Sequence, residues 1–238
     1  MIESHLAYIQ KASKNGKKLL AILLDPDKTS LDTLPKIAKK ILELKAQFIF
    51  VGGSFVAHGT TDLFVKKLKD FTHIPVILFP GHYSQVTDSA DGLLFLSLLS
   101  GRNPEYLIEQ QIKSVPYLKN SMLEIIPTGY ILIDGGTNSS VLKISNTTPI
   151  SQENIELAVA TAVAGMYKGK QVIYLEAGSG AINPVNSKLI ARVKENISVP
   201  LFVGGGIKTE KQLQKAYQSG ADLVIIGTAF EEKYALLK

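Results

Sequence analysis

Apolar residues in this chain come in short unbroken runs. Each run is followed by a longer stretch in which apolar positions recur every three or four residues. The runs are LLAILLD (19–25), FIFVGG (48–53), VILFPG (76–81), GLLFLSL (92–98), GYILIDGG (129–136), QVIYLEAG (171–178), PLFVGGG (200–206) and DLVIIGT (222–228). Uninterrupted Ile, Val, Leu and Phe suit strands covered on both faces, as in a parallel sheet. Eight such runs with helices between them predict an α/β protein. A closed (β/α)8 TIM barrel is expected in preference to an open doubly wound sheet. A chain of 238 residues suits one such barrel, so a single domain over 1–238 is expected.

The helical stretches carry their own punctuation. Leu34, Ile37, Ala38, Ile41 and Leu42 mark one face of the first barrel helix. Asn103-Pro104 and Asn183-Pro184 each read as an N-cap followed by proline at the first helical position. Thr209 with Gln212, and Thr228 with Glu231, have capping-box spacing. Gly220 suits the end of the penultimate helix. The third unit departs from the rhythm. Only GHYSQVTDSAD separates its strand from the next, which leaves room for about one turn. Barrel helix 3 is therefore predicted to be missing or vestigial. The fifth connection is long instead, running through TNSSVLKISNTTPI into a helix that starts near Ser151 and carries Ala158, Ala160, Ala162 and Ala164.

Composition narrows the chemistry. Hydrophobic residues are 45% and charged residues 20%, enough for a large core and too mixed in sign for disorder. With no cysteine, disulfides, thiolate nucleophiles and Cys-ligated zinc are excluded, and a cytoplasmic setting is expected. The longest apolar run, near GLLFLSLLSG, falls far short of the roughly 20 residues a membrane span needs. Peripheral membrane contact stays open. Net charge is 26 − 21 = +5, with scattered lysines and no dense basic run interleaved with aromatics, so no nucleic-acid partner is expected.

In such barrels the active site lies at the C-terminal strand ends. Strands 7 and 8 end in Gly204-Gly205-Gly206 and Gly227-Thr228, each leading into a capped helix. Small residues let an anion approach backbone N–H groups, and a helix N-terminus adds partial positive charge. A phosphate cradle is expected there, extended by Gly178, Ser179 and Gly180 after strand 6. Glu176 shares a strand face with Tyr174 and Gly178. Beside a phosphate an acid repels, so Glu176 is better placed to accept a hydrogen bond or a proton from a hydroxyl elsewhere on the ligand. Asp25 ends strand 1 and Ser54 ends strand 2, a sparse oxygen set of the kind Mg²⁺ tolerates. Asp25 before Pro26 also reads as a simple turn initiator. His58 and His82 form no metal pattern, and Arg102 lies where it could reach a diphosphate.

Taken in order, LLDPDK, VGGS, SLLSGRNP, IPTGYILIDGG, YLEAGSGA, FVGGGIKT and VIIGTAF resemble geranylgeranylglyceryl phosphate synthases and their bacterial heptaprenylglyceryl relatives over nearly the whole chain. The resemblance implies a modified barrel with helix 3 replaced. It implies Mg²⁺-dependent transfer of a prenyl group from a prenyl diphosphate to the sn-3 hydroxyl of sn-glycerol 1-phosphate, in ether-lipid synthesis. C20 geranylgeranyl is preferred, with C35 left open. Carried onto this chain, the metal positions are Asp25 and Ser54. The glycerol phosphate positions are Tyr174, Leu175, Glu176, Ala177, Gly178, Ser179, Gly180, Gly204, Gly205, Gly227 and Thr228, with Glu176 catalytic. Thr228 stands where the family often has Asn. Phe79, Tyr83, Leu98 and Tyr130 are candidates for a prenyl groove, and a homo-oligomer is implied. The alternatives are another phosphate-binding barrel isomerase or lyase, and a non-catalytic barrel that binds a phosphorylated ligand.

Overall fold

The computed structural model describes residues 4–53, 56, 59–137, 140–227 and 230. Each apolar run forms a strand: β1 (Leu19–Leu24), β2 (Phe48–Val51), β3 (Val76–Leu78), β4 (Gly92–Leu98), β5 (Glu124–Leu132), β6 (Val172–Glu176), β7 (Leu201–Gly204) and β8 (Leu223–Ile226). All neighbours are parallel, and β8 returns to β1 to close the barrel. Period-2 alternation sorts the side chains into two cores. Along β1, Leu20, Ile22 and Leu24 face the helices, whereas Leu19 and Ala21 face the interior. Aromatics fill that interior, with Phe50 and Phe202 at 6.3 Å between ring centroids. Fully burying one such side chain stabilises the fold by about 1.5–3 kcal/mol.

Ahead of β1 lies a helix that the pattern of apolar runs did not predict, α1 (His5–Lys14). Ile9 and Ala12 close the N-terminal end of the interior core. The Glu124 carboxylate accepts from His5 N at 2.6 Å and Leu6 N at 2.8 Å, which places an anion on the first turn. In α2 (Leu34–Glu43), Leu34, Ile37, Ala38 and Ile41 are buried as expected, but Leu42 is 66% exposed, one residue's rotation beyond the stripe. Next come α3 (Thr60–Lys69) and α4 (Gln110–Leu118), the latter entered through a wide π-type turn over Glu105–Glu109. Asn103 caps that turn, its Oδ1 accepting from Glu105 N at 3.0 Å.

The fifth connection holds α5 (Ser140–Ser145) and α6 (Ile155–Tyr167). The second of these starts four residues later than expected, because the Asn154 side chain caps it through Leu157 N while Ser151 only begins a turn. The predicted cap at Asn183-Pro184 is also corrected. Helix α7 (Ser187–Asn196) is capped by Asn186, whose Oδ1 accepts from Leu189 N at 2.7 Å. Asn183-Pro184 instead lies in the preceding loop, where Pro184 O accepts from Gln152 Nε2. Helix α8 (Glu210–Gln218) has the predicted Thr209–Gln212 capping box, and Gly220 closes it. The Thr228–Glu231 pair lies outside the described residues. Among the described residues no helix is long and apolar enough to cross a membrane.

Between β3 and β4 there is no α-helix, only a 3₁₀ turn at Tyr83–Gln85, so the barrel helix due after β3 (barrel helix 3, not α3) is vestigial as predicted. One consequence is a seam. β3 meets β4 only at Ile77↔Gly92 and Leu78↔Leu93, while β4 pairs with β5 from Gly92↔Glu124 through Leu98↔Tyr130. Gln111 of α4 covers part of the edge this leaves, its Nε2 donating to Leu96 O. The short connection is tied down by Asp62 of α3, which accepts from Thr87 Oγ1, from Ser89 Oγ at 2.7 Å and from Lys66 at 2.8 Å. Those bonds hold the Asp62 carboxyl down to about 2, with the Lys66 contact foremost.

Candidate active site

A cavity of about 490 Å³ opens at the C-terminal rim and continues outward through the β3–β4 seam. Glu176, the last residue of β6, sits on its inner wall and is only 7% exposed. Its Oε2 accepts from Tyr174 Oη at 2.6 Å and its Oε1 from Gly178 N at 2.7 Å. Burial pushes the Glu176 carboxyl above the ordinary carboxylate range, and the two hydrogen bonds offset part of that rise. Tyr174 packs among Phe79 (5.5 Å), Tyr130 (5.2 Å) and Phe202 (6.2 Å), forming an aromatic floor. Burial holds the phenols of Tyr130 and Tyr174 well above their ordinary value.

Two glycines permit this arrangement. Gly205 has φ +81°, and a Cβ there would collide with Glu176 Oε1 and stand 2.7 Å from Gly178 N and 2.9 Å from Ala177 N. The loops after β6 and β7 thus touch backbone to backbone. Gly53 lies against Asp25, where a Cβ would be 2.7 Å from Oδ1. The Asp25 carboxylate accepts from Asp27 N at 3.1 Å and pairs with Lys28 at 2.7 Å. Gly178, Ser179, Gly180, Gly205, Gly206 and Gly227 line one end of the cavity with little but backbone. Lys28 and Lys208 add positive charge beside them. The other end is apolar, bounded by Phe79, Tyr83, Val86, Leu96, Leu98 and Tyr106.

An acid, a glycine cradle and an apolar exit on one barrel rim match the expected arrangement, and comparison with known proteins names the lineage. The profile of the PcrB family matches residues 14–237. The chain belongs to the PcrB family. Within it, a geranylgeranylglyceryl phosphate synthase of Zunongwangia profunda is 56% identical over 223 residues, covering 94% of this chain and 95% of the relative. One from Flavobacterium johnsoniae is 52% identical over 223 residues, covering 94% and 92%. The crystal structure of (S)-3-O-geranylgeranylglyceryl phosphate synthase from Thermoplasma acidophilum, in complex with sn-glycerol-1-phosphate, superposes with a TM-score of 0.91. It is 31% identical and covers 97% of this chain and 92% of its own.

Against that PcrB frame, most of the anticipated residues converge on one cavity: Tyr174, Glu176, Gly178, Ser179, Gly180, Gly205, Gly227 and Asp25, with Phe79, Tyr83, Leu98 and Tyr130 along the apolar part. Three need correction in their mode of contact. Leu175 and Ala177 belong to the outer core, so their side chains face the helices. Ala177 N is already spent on Gly204 O at 3.0 Å. Gly204 backs the Tyr174 and Glu176 side chains and does not line the cavity. Arg102 folds onto its own loop, Nη1 donating to Gly101 O at 2.7 Å and Leu99 O at 3.3 Å, instead of reaching into the site. His82 lines the rim and stacks on Tyr83 at 4.2 Å. Ser54, His58 and Thr228 lie outside the described residues.

Sequence reasoning missed Lys28, Lys208, Tyr106 and Gln85. The first two lie inside motifs already singled out, LLDPDK and FVGGGIKT. Tyr106 and Gln85 had no such signal. Among the described residues no three His, Asp or Glu converge as a metal cluster. Asp25 nevertheless suits a hard cation. Its carboxylate borders the cavity against a residue that carries no Cβ, and Mg²⁺ takes its remaining oxygens from phosphate and water.

Proposed function

We propose that this chain transfers a prenyl group, C20 by preference, from a prenyl diphosphate to the sn-3 hydroxyl of sn-glycerol 1-phosphate. The observation that carries this reading is the continuity of the cavity. A polar end lined by Glu176 and glycine backbone joins an apolar groove through the seam left by helix 3. A sugar-phosphate isomerase or lyase would use the first end and have no use for the second. The names of the relatives support the same reaction.

In the proposed reaction the phosphate rests on the loops after β6, β7 and β8. Fixing that end aligns the hydroxyl and reduces the entropic cost of bringing two substrates together. The sn-3 oxygen attacks C1 of the prenyl chain as the C1–O bond to diphosphate breaks. The hydroxyl proton passes to ionised Glu176, and diphosphate departs. Tyr174 Oη and Gly178 N keep the carboxylate aimed as it takes the proton. Asp25, together with Ser54 as the family resemblance implies, would hold Mg²⁺, which when bound neutralises charge on the departing diphosphate. Phe79 and Tyr130 would face the first isoprene units.

The same reading includes a homo-oligomer and a cytoplasmic enzyme working at the membrane surface. Helix α6 supports the oligomer, because its outer side carries Leu157 at 44% and Tyr167 at 81% exposure. The test incubates the protein with sn-glycerol 1-phosphate and a ladder of prenyl diphosphates, with and without Mg²⁺, followed by mass spectrometry. Mg²⁺-dependent ether product is expected. Intact substrates at every chain length would overturn the proposal.

A further inference from the structure

The 3₁₀ turn that stands in for helix 3 carries one nearly inaccessible polar side chain. Gln85 is 2% exposed, although its neighbours in the chain skirt the cavity. Its Nε2 donates to Gly53 O at 2.8 Å. Its Oε1 accepts two longer bonds, from Gly53 N and Gly81 N, each 3.4 Å. One amide therefore grips both polar groups of Gly53 and reaches the loop after β3. Gly53 is the residue whose Cα abuts the Asp25 carboxylate.

We infer that Gln85 is a positioning residue for the diphosphate end of the site, acting through Gly53 on Asp25. A buried amide that satisfies both the N–H and the C=O of one residue fixes the backbone on either side of its Cα. Without it, Gly53 O loses that donor, and a glycine with no side chain to anchor it is free to turn. The Asp25 carboxylate then loses the wall that holds it toward the cavity. Gln85's bonds run to the loops after β2 and β3 and not to the β6 and β7 loops of the glycerol phosphate end, so that end should be unaffected. The inference rests on the proposed function, because it takes Asp25 as the cation-binding carboxylate.

The experiment is calorimetric titration of the full-length protein with inorganic diphosphate plus Mg²⁺, and separately with sn-glycerol 1-phosphate. Gln85→Met, of similar length, should bind Mg²⁺-diphosphate about tenfold more weakly or worse. It should keep glycerol phosphate affinity within about twofold. Gln85→Asn, too short to reach Gly53 but still polar, serves if the methionine variant does not fold. Asp62→Ala loosens the same connection without touching Gly53 and should lower the melting temperature while leaving both affinities alone. Equal loss of both ligands in the Gln85 variants, or loss of neither, would overturn the inference. Wild-type protein that binds no Mg²⁺-diphosphate would overturn the metal reading itself, and the positioning role with it.

Discussion

Glu176→Gln isolates the acid from its surroundings. The amide matches the carboxylate in shape and offers one acceptor and one donor where the carboxylate offered two acceptors. Its oxygen can take the Gly178 N–H, and its nitrogen can donate to Tyr174 Oη, so the aromatic floor stays packed. Two bonds to a charged acceptor become neutral ones, a loss of about 1 kcal/mol each. Removing a buried charge compensates, and the net stability change should stay within about 1 kcal/mol. The sign of the pH dependence follows from the raised carboxyl. The wild-type contribution is fully present below the ordinary value of 4.5 and is lost as pH rises through the folded value. The variant should therefore gain on the wild type in melting temperature toward neutral pH. Catalysis should move the other way. Loss of a general base costs roughly 10²–10⁴-fold in kcat, or about 3–5 kcal/mol of barrier. The acid limb of the wild-type kcat/KM profile should lie above the ordinary carboxylate range and vanish in the variant. Steady-state turnover with sn-glycerol 1-phosphate checks this. A variant within tenfold of wild type that keeps the acid limb would refute the reasoning.

Three further outcomes follow from the same geometry. Gly205→Ala forces a left-handed residue, at about 1–2 kcal/mol, and drives a methyl into Glu176 and the loop after β6; calorimetry should register at least tenfold weaker glycerol phosphate binding. Asp25→Asn removes the carboxylate beside Gly53, and product formation should require far higher Mg²⁺, read from turnover across a Mg²⁺ series. Asp62→Asn should cost about 1 kcal/mol near neutral pH, a modest figure because the side chain is 41% exposed and water screens Lys66. That stabilisation is present above the ordinary value of 3.8 and lost as pH falls through about 2, so urea midpoints of variant and wild type should converge in acid.

The strands were legible because most of their residues are buried on both faces, which leaves unbroken apolar runs; the first half of β5 was not, since Glu124, the exposed Ile125 and Pro127 interrupt the pattern there. The missing helix was legible as a length, since eleven residues cannot form a full barrel helix and its turns. Helix starts were less so. Asn186 wins its cap over Asn183 with the help of a contact far away in sequence, Gln152 Oε1 accepting from Asn186 N, whereas Asn154 wins over Ser151 by its own bond to Leu157 N. The terminal helix α1 was hidden because a helix that plugs a barrel buries only a narrow side, here mainly Ile9 and Ala12. At the site, residues whose backbone or charge matters left marks in the sequence as glycine clusters and acids at strand ends. Gln85 left none, because a glutamine that satisfies a neighbouring loop looks like any surface glutamine until the loops are placed.

The two halves of the rim are built differently, and the difference follows from what each has to hold. On the β6–β8 side the strands stay in register to their ends, with Glu176 opposite Gly204, and capped helices α7 and α8 follow after loops 177–186 and 205–209. At Gly205 those two loops meet backbone to backbone, as a small dianion requires of a cradle made from backbone. On the β3–β4 side pairing stops at Leu78↔Leu93, and the edge beyond is covered by side chains instead of a strand. Opening a barrel there forfeits ladder hydrogen bonds at about 1 kcal/mol each. Asp62, Gln85 and Gln111 restore part of that from three separate elements. An apolar chain needs room and no hydrogen bonds, so the place where the ladder is interrupted is the place where a lipid tail can leave the barrel without displacing a strand.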